Sequence, residues 1–310
     1  MLAFKKGEVI VIFCAAGSAH LHNFQLILRQ TLITMLIKNI PPHASLSEFI
    51  RKYQIIRWQY DVNSTPPDKY LAPRPEHSLT FYIRDLQSYT FIGSAKKEIY
   101  PKSIISGIHT TTLIRDCGYD FWALKIIFQP SALYRLTGMP MHELVSNFAD
   151  AEVIFGKEVS LLYDRLNGSD HLPEMITQIE LFLQKVISKK SKNIHPIDLV
   201  CEQMLIQDEP QNLDILAQKS YLSTRQFIRK FEERIGISPN LFERIIRFDK
   251  AYRLRNNKPD LDWLSISLAC GYYDYQHLSK DYKTFTGHTP VSYYEIDKKA
   301  PERFFGLYFG

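Results

Sequence analysis

The sequence predicts an α+β protein: a β-rich N-terminal sandwich or barrel with flanking helices, followed by an all-α domain in which a long helix joins two helix-turn-helix units. Three observations lead to this fold class. Residues 47–134 alternate between polar residues and aromatic or β-branched ones. From about Pro140, and almost throughout from Ile194, apolar residues recur at spacings of three and four. One helical pattern then occurs twice in the last third of the chain.

Short strands are predicted in the N-terminal domain at YQIIRWQY, SLTFYIRD, YTFIG, SIISGIHTTTLI and YDFWALKIIF. Polar, proline-containing stretches such as STPPDKYLAPRPEH separate them, and strands of this length and spacing are typical of a sandwich or small barrel. Six aromatic residues of this region are interpreted as sheet core, with a pocket lining as the alternative. They are Trp58, Tyr60, Phe81, Tyr82, Phe121 and Trp122.

Three amphipathic helices are predicted next, over MHELVSNF, GKEVSLLYDRL and PEMITQIELFLQKVIS. In the third helix one face carries Ile176, Ile179, Leu183 and Val186. Such a stripe packs against its own domain or forms a dimer seam, and the sequence leaves both interpretations open. The basic stretch KKSKN has no apolar residue and is predicted to be the interdomain linker.

The start of the chain has three interpretations. Lys5 and Lys6 precede VIVIFCAAGSA, which is similar to a secretory signal. We favour an over-extended reading frame with Met35 as the true start, followed by an ordinary helix over Asn23–Ile37 as the second interpretation. The predicted regions are therefore an uncertain extension (1–34), a β-rich domain (35–188), the linker (189–193), a helical domain (194–296) and a C-terminal tail (297–310).

Charge and composition favour a binding protein over a metalloprotein or membrane protein. Between residues 212 and 294 there are 13 Lys and Arg against 9 Asp and Glu, a basic excess that favours a polyanionic partner. His20 and His22 have no third ligand nearby. No apolar run reaches the roughly 18 residues of a transmembrane helix, so no membrane partner is expected. The four cysteines are far apart, which is typical of a reducing cytoplasm and not of a disulfide framework or zinc site: Cys14, Cys117, Cys201 and Cys270.

The repeated pattern is the most informative feature of the chain. It reads STRQFIRKFEERIGISP from Ser223 and DYQHLSKDYKTFTGHTP from Asp274. Each copy begins with a polar cap, places an apolar residue four positions later and an aromatic residue four after that, and closes with Gly, two residues and Pro. Shorter helices are predicted upstream at LDILAQKS and WLSISLACG, and Pro239 begins a long helix through Arg255. The second turn is one residue longer than the first.

An α-helix in the major groove of DNA contacts base edges through side chains exposed near its start. The four-residue spacing predicts that Phe227 and Phe231 face inward, as do Leu278 and Tyr282 in the second copy. The residues left on the outer faces are the candidate DNA contacts: Thr224, Arg225, Ile228, Arg229, Tyr275, Gln276, Ser279 and Lys280. Arg225 and Arg229 lie one turn apart and are suited to contact guanine. Gln276 is suited to contact adenine, and Lys280 to contact guanine or phosphate.

These residues make residues 212–296 similar to the DNA-binding domain of the AraC/XylS family of bacterial transcription regulators. The resemblance rests on LAQKSYLSTRQFIRKFEERIGISPNLFERIIRFDKAYRL and SISLACGYYDYQHLSKDYKTFTGHTPVSYY. The family pattern on the long helix is present as Arg247, Ala251 and Leu254, and its glycine and aromatic residue are Gly271 and Tyr272, with Tyr where Phe is usual. The segments PPHASLSEFIRKYQ and FQPSALYRLTGMPMHELVSNFADAE resemble the β-rich N-terminal domain of some of these regulators.

The resemblance implies that one monomer places both recognition helices in successive major grooves. It assigns base contacts to Arg225, Ile228 and Arg229 in the first unit and to the following residues in the second: Tyr275, Gln276 and Lys280. Ile228 offers only apolar contact, for example to a thymine methyl group. Asp281 adds negative charge beside Lys280, which predicts weaker DNA binding by the second unit and places most of the specificity in the first.

The leading hypothesis is therefore a cytoplasmic, sequence-specific regulator, an activator by family analogy, with double-stranded DNA and RNA polymerase as partners and with a small-molecule effector and a homodimer as further possibilities. No cofactor or catalytic residue is expected. One alternative is an enzyme, for example of repair type, that carries the same module. Neither Cys14 nor Cys117 lies in a setting typical of a reactive thiol, and no nucleotide-binding or hydrolase motif is present. Another is a ligand-independent regulator whose N-terminal domain only docks partners.

Overall fold

The N-terminal domain contains two antiparallel β-sheets, as the alternating segments predict. The computed structural model describes residues 2–5, 8–12, 32–63, 66–91, 97–116, 118–190, 193–207 and 211–304. The strands described are β1 (Leu2–Lys5), β2 (Glu8–Ile12), β3 (Leu32–Ile40), β4 (Ile50–Tyr60), β5 (Lys69–Leu71), β6 (Ser78–Tyr82), β7 (Ser88–Phe91), β8 (Lys97–Ile99), β9 (Ser103–Ser106), β10 (Leu113–Asp116), β11 (Asp120–Phe128) and β12 (Phe148–Asp150). The large sheet has the order β1-β2-β3-β4-β11-β6-β9-β12, and the small sheet the order β5-β10-β7-β8.

The central strands β4, β6 and β11 of the large sheet are buried on both faces: successive side chains of a strand point to opposite sides, and both sides are covered. On β4, Tyr53 and Ile55 pack against the helices of the domain, whereas Trp58 faces the small sheet. Trp58 stacks on Phe121 of β11, with 4.3 Å between the ring centroids. The six aromatic residues singled out in the sequence are all buried, which confirms the sheet-core interpretation, and Tyr82 also lines a cavity.

Among the described residues of this domain, four α-helices and two 3₁₀ turns accompany the strands: α1 (Ala132–Thr137), α2 (Ala151–Phe155), α3 (Lys157–Asn167), α4 (Leu172–Lys190), Ala44–Leu46 and Met141–Leu144. The helix predicted over MHELVSNF is wrong beyond its first turn. Ser146 adopts a left-handed conformation with φ 50°, which interrupts a helix, and Phe148 begins β12. The predicted helices at α3 and α4 are confirmed.

The apolar stripe of α4 packs against its own domain. Ile179, Leu183 and Val186 are buried in the core beneath the large sheet, and Ile176 packs at its margin. The interpretation of this stripe as a dimer seam is therefore wrong, because its side chains are already covered.

Two predicted boundaries also need correction. Helix α4 continues through Lys190, so the first two residues of the predicted linker are helical, and Lys189 forms an ion pair with Glu158 of α3 at 3.7 Å. At the start, Leu32–Ile40 forms β3 and pairs with β4, so the helix predicted over Asn23–Ile37 is wrong from Leu32 onward. Its earlier part lies outside the described residues. Met35 is buried between the sheets, which favours a strand there, and the hypothesis that the chain starts at this residue stays a prediction.

The C-terminal domain is helical and forms its own core. Its helices are α5 (Pro196–Ile206), α6 (Leu213–Lys219), α7 (Thr224–Ile235), α8 (Pro239–Asn257), α9 (Trp263–Ala269), α10 (Tyr275–Thr286), α11 (Pro290–Asp297) and α12 (Pro301–Phe304). The long helix α8 lies between the two helix-turn-helix units, and its Phe242 and Phe248 pack against inner residues of α7 and α10 respectively. The predicted helical architecture is confirmed.

The two domains pack against each other over several elements. Helix α7 contacts α1 and the Met141–Leu144 turn. Thr112 donates its backbone N–H to the carbonyl oxygen of Phe285 at the end of α10, over 2.8 Å. Lys69 of β5 forms ion pairs with Asp297, at 3.1 Å, and with Glu302. The predicted C-terminal tail thus contributes buried charges to the domain interface.

Candidate DNA interface

The first helix-turn-helix unit consists of α6 and α7. Ser223 caps α7 in a capping box: its hydroxyl oxygen accepts from the N–H of Gln226 at 3.4 Å, and the Gln226 side chain accepts from the N–H of Ser223 at 3.1 Å. Phe227 and Phe231 are fully buried, as predicted. The helix ends at Gly236, whose φ of 96° suits glycine. The inward face of α7 is therefore held by the core and its outer face is left for contact.

The second unit consists of α9 and α10 and has the same frame. Asp274 caps α10 by accepting the N–H of His277 at 2.8 Å. Leu278 and Tyr282 are buried, and Gly287 ends the helix with φ 74°. Both recognition helices thus start at a polar cap and end at a left-handed glycine.

The turns of the two units place different residues in the same conformation. In the first turn, Leu222 N–H donates to Ala217, and in the second, Tyr272 N–H donates to Ser267, each over 3.0 Å. The residue just before each donor has a positive φ, 55° at Tyr221 and 77° at Gly271. A left-handed conformation costs a non-glycine residue about 1 kcal/mol, so the first unit carries a strain that the second avoids.

The eight candidate contact residues divide into two groups by exposure. Arg225, Arg229, Gln276 and Lys280 are exposed. The half-buried group consists of Thr224, Ile228, Tyr275 and Ser279. Thr224 donates its hydroxyl to Asp214 of α6 over 2.6 Å, and Tyr275 packs against the domain core. The long polar side chains are thus the ones that extend from the recognition helices.

Asp281 does not face outward, contrary to the expectation that its charge weakens the second unit. The residue is buried, and one carboxylate oxygen accepts from Nε and Nη2 of Arg244 on α8, at 3.0 and 2.8 Å. The other oxygen accepts from the Tyr272 hydroxyl at 3.1 Å. Asp281 lies three residues after Leu278, on the inward face of α10, and therefore contacts the long helix α8. The charge of Asp281 therefore gives no reason to expect weaker DNA binding by the second unit.

A second buried ion pair holds the first unit, and sequence reasoning missed it. Arg234 of α7 donates from Nη1 to Asp198 of α5 over 2.7 Å, and Asp198 is fully buried. The guanidinium of Arg234 also lies over the ring of Tyr134 in α1, 4.7 Å from its centroid. Helix α5 begins after the capping residue His195, and nothing in the local sequence indicates the partner of Asp198, because 36 residues separate the two charges.

The N-terminal domain contacts the far ends of both recognition helices. At the end of α7, the Tyr134 hydroxyl donates to Glu233 over 2.6 Å. His77 is buried against the backbone of Ile235, and burial lowers its pKa to about 4 although the hydrogen bond to Ile235 acts in the opposite direction. At the end of α10, the hydroxyl of Thr112 donates to Phe285 over 3.1 Å. The ends of α7 and α10 that lie away from their caps are therefore fixed to the N-terminal domain.

Other chemistry receives no support in the part of the chain that the structure describes. Burial raises the pKa of both the Cys201 and Cys270 thiols, that of Cys270 to about 11, so neither is a reactive thiolate. Within that part, no three His, Cys, Asp or Glu residues are grouped closely enough for a metal ion. None of its helices is long and apolar enough to cross a membrane. The candidates Cys14, Cys117, His20 and His22 lie outside the described residues.

Comparison with known proteins agrees with this geometry. A family model of a helix-turn-helix domain, of the AraC type, matches residues 216–295. A second model, a domain of unknown function (DUF6597), matches residues 38–150. The chain is 26% identical over 150 residues to the HTH-type transcriptional activator RhaR of Salmonella schwarzengrund (strain CVM19633), a match that covers 48% of each protein. Residues 216–295 therefore form a helix-turn-helix domain of the AraC type.

Two solved structures are similar to parts of the chain. ToxT from Vibrio cholerae O395 is 11% identical, with a TM-score of 0.43, over 85% of this chain and all of that chain. The DNA-binding domain of AdpA in complex with a target DNA is 24% identical, with a TM-score of 0.32, over 34% of this chain and 95% of that one. The chain spans about half the length of RhaR, the curated relative that it matches.

The AraC/XylS pattern on α8 has a structural explanation in this chain. Ala251 is fully buried and Leu254 packs against the domain core, so both hold the long helix in place. Arg247 lies over the Tyr272 ring, 5.1 Å from its centroid, and donates to the Gly271 carbonyl at 3.4 Å. The pattern therefore links the long helix to the turn of the second unit.

Proposed function

We propose that this protein is a cytoplasmic transcription activator of the AraC/XylS family that binds double-stranded DNA with α7 and α10 in successive major grooves. The observation that carries the proposal is the pair of capped helices whose inner faces share one domain core while long polar side chains extend from their outer faces. A recognition helix contacts base edges in this way. RhaR is a transcriptional activator, which supports activation over repression.

The first unit is suited to guanine-rich contacts. Arg225 and Arg229 are exposed one helical turn apart near the start of α7. A guanidinium donates two parallel hydrogen bonds to O6 and N7 of guanine, which are acceptors in the major groove. Ile228 lies between them and offers apolar contact to a thymine methyl group.

The second unit has a different chemistry on the same frame. Gln276 is suited to bidentate contact with adenine, and exposed Lys280 to guanine or phosphate. Since Asp281 is buried against Arg244, its charge is compensated within the domain. We therefore propose that both units contribute to affinity and that they read different half-sites.

RNA polymerase and a second copy of the chain are proposed as partners of the DNA-bound protein. An activator acts on polymerase at its promoter, which supports the first of these. The homodimer remains a prediction, and any dimer must use a surface other than the buried stripe of α4.

The test is selection of binding sites from random double-stranded DNA by the full-length protein, followed by affinity measurements over a range of salt concentrations. We expect a selected sequence with two half-sites about one helical turn apart and a negative slope of log affinity against log salt. Equal affinity for selected and random DNA at every salt concentration would contradict the proposal. Transcription in vitro from a promoter carrying the selected site then separates activation from repression.

Substitutions assign the contacts. Arg225→Ala and Gln276→Ala should each cost about 1–3 kcal/mol and relax the preference at different positions of the selected site. Lys157→Ala, which removes an exposed cation from α3 in the N-terminal domain, is the matched control and should leave binding unchanged. A uniform loss over all sequences for Arg225→Ala would show that this residue contacts phosphate.

A further inference from the structure

The two recognition helices meet the long helix α8 through different chemistry. Each helix presents an aromatic ring to α8. The second recognition helix adds Asp281, which lies in the middle of α10 and is 6% exposed. In the repeated pattern the same slot of α7 holds Lys230, which is half-buried. The second unit therefore combines its apolar contact with a buried carboxylate, and the first has a cation at that slot.

Three hydrogen bonds hold the carboxylate of Asp281. Its Oδ1 accepts from Nε and Nη2 of Arg244 on α8, at 3.0 and 2.8 Å, and its Oδ2 accepts from the Tyr272 hydroxyl at 3.1 Å. Burial raises the pKa of Tyr272, and the charge of Asp281 acts in the same direction, so the phenol stays protonated and donates. The guanidinium of Arg244 also lies over the ring of Phe285, 5.3 Å from its centroid and one turn further along α10. Both carboxylate oxygens are thus bound by groups outside α10.

Tyr272 is itself held by the long helix and by the turn. It is 4% exposed, and the guanidinium of Arg247 lies over its ring, 5.1 Å from the centroid. Its N–H donates to the Ser267 carbonyl at 3.0 Å. The AraC/XylS pattern usually has Phe at this position, so the hydroxyl that donates to Asp281 is a property of this chain. Arg244 and Arg247, on successive turns of α8, therefore contact α10 and the turn before it.

Directional bonds of this kind restrict how α10 can turn about its own axis. Burial of Leu278 and Tyr282 is favourable in a range of orientations, because the hydrophobic effect is non-directional. A buried carboxylate differs, because it is costly without partners. Turning α10 away from Arg244 would leave Asp281 buried and unpaired. The three hydrogen bonds therefore disfavour rotated arrangements that apolar packing alone would tolerate.

The rotation of α10 matters for base reading because the candidate contacts lie at the ends of long side chains. Gln276 and Lys280 are exposed one helical turn apart. Side chains extend to about 6 Å from a helix axis, so a rotation of about 20° moves their ends by about 2 Å. A binding site tolerates displacements of only about 0.5 Å. A small rotation is thus enough to break a bidentate contact between Gln276 and adenine.

We propose that Asp281 is a positioning residue: bound by Arg244 and Tyr272, it fixes the rotation of α10 and thereby sets the base discrimination of the second unit. Asp281 and Tyr272 are both buried, so their effect passes through the exposed side chains of Gln276 and Lys280. The role in base discrimination rests on the proposed function. Helix α7 is oriented by other contacts, so the discrimination of the first unit should not depend on Asp281.

The first test compares full-length variants on the selected DNA site and on sites with one base pair replaced in either half-site. The ratio of the two affinities measures discrimination, and the second half-site is the one at which Gln276→Ala relaxes the preference. We expect Tyr272→Phe to lower the ratio of the second half-site about threefold and Asp281→Asn about tenfold, with the first half-site unchanged. Tyr119→Phe, the matched control, removes an exposed tyrosine hydroxyl from the N-terminal domain and should change neither ratio.

The second measurement needs no DNA. Amide hydrogen exchange of the free protein reports how firmly each recognition helix is held. Asp281→Asn should speed exchange within α10 at least about fivefold and leave α7 unchanged, because the lost ion pair holds only α10.

Three results would overturn the inference: unchanged ratios in the second half-site, equal losses of discrimination in both half-sites, or unchanged exchange in α10. Tyr272→Phe keeps the ring beneath Arg247 and decides the matter even where Asp281→Asn does not fold. If the unaltered protein selects no sequence from random DNA, the proposed function fails. Faster exchange in α10 alone then still supports the positioning role of Asp281, and unchanged exchange contradicts it.

Discussion

The two helix-turn-helix units share one frame but differ in how each is attached to the rest of the molecule. In both, a polar cap begins the recognition helix and a left-handed glycine ends it. The first unit is tied through Arg234 to Asp198 on α5, and the second through Asp281 to Arg244 on α8. The repeated pattern therefore sets the shape of each unit, while charges that are not part of the repeat set its position.

The N-terminal domain adds to this difference. It contacts the first unit through side chains of Tyr134 and His77 and through the close approach of the Met141–Leu144 turn. It contacts the second unit through Thr112, which donates to a backbone carbonyl. A change in the N-terminal domain should thus reach the first unit more strongly than the second.

The largest expected effect comes from removing the arginine of each buried ion pair. Arg234→Ala leaves the fully buried Asp198 without its cation and should lower the free energy of unfolding by about 3 kcal/mol. Arg244→Ala should cost less, about 2 kcal/mol, because this pair is closer to solvent: the Arg244 side chain is 34% exposed against 11% for Arg234. Urea unfolding of the variants measures both.

Arg229→Ala is the control for these variants, because it removes an exposed arginine from α7 and should change stability by no more than about 0.5 kcal/mol. A larger loss for Arg244→Ala than for Arg234→Ala would reverse the comparison and make the second unit the more tightly held one.

A smaller effect is expected at the end of α7. A Cβ on Gly236 would lie 2.7 Å from the carbonyl oxygen of Met141 in the N-terminal domain, and its φ of 96° disfavours other residues. Gly236→Ala should cost about 2 kcal/mol in unfolding experiments. Gly156→Ala, at φ 74° with no atom within 4 Å, should cost only about 1 kcal/mol for the backbone alone. Equal losses would mean that the domain contact adjusts without cost.

The buried His77 predicts a pH dependence located at the first unit. Its folded pKa is about 4 and its ordinary value is 6.5, so between these values the unfolded chain binds a proton that the folded chain does not. The stability it supports is full above pH 6.5 and falls as the pH drops toward 4, by about 1.4 kcal/mol at pH 5.5. His77→Gln should reduce this loss. The measurement is the difference between the free energies of unfolding in urea at pH 7.5 and at pH 5.5. An unchanged pH dependence would contradict the assignment.

The smallest expected effect concerns the first turn. Tyr221 has φ 55° and is 87% exposed, so Tyr221→Gly removes backbone strain and little packing and should raise stability by about 0.5 kcal/mol. Tyr273→Gly is the matched control in the second turn: this tyrosine is 85% exposed and has no positive φ, so the glycine should lower stability. Thermal unfolding detects the difference in sign.

Periodicity and capping predicted most of the helical domain because these signals are local. Ser223, Asp274 and the glycines at 236 and 287 mark the ends of the recognition helices directly in the sequence. Prediction was wrong where a local signal competes with tertiary contacts. Asp281 is polar and next to Lys280, but Arg244 draws it into the core. The helix expected over Asn23–Ile37 gives way to β3 from Leu32 onward because that segment pairs with β4.

The sequence by itself determined that two capped helices of the same frame exist and which face of each is apolar, since both properties depend on neighbours within a few residues. Only the tertiary structure decided which charges are buried, because Asp198 meets Arg234 and Lys69 meets Asp297 across 36 and 228 residues of chain. It also decided that Arg115 is buried over the rings of Trp58 and Phe121, since that depends on two sheets packing face to face. Local chemistry thus specified the recognition helices, and long-range packing specified how they are held.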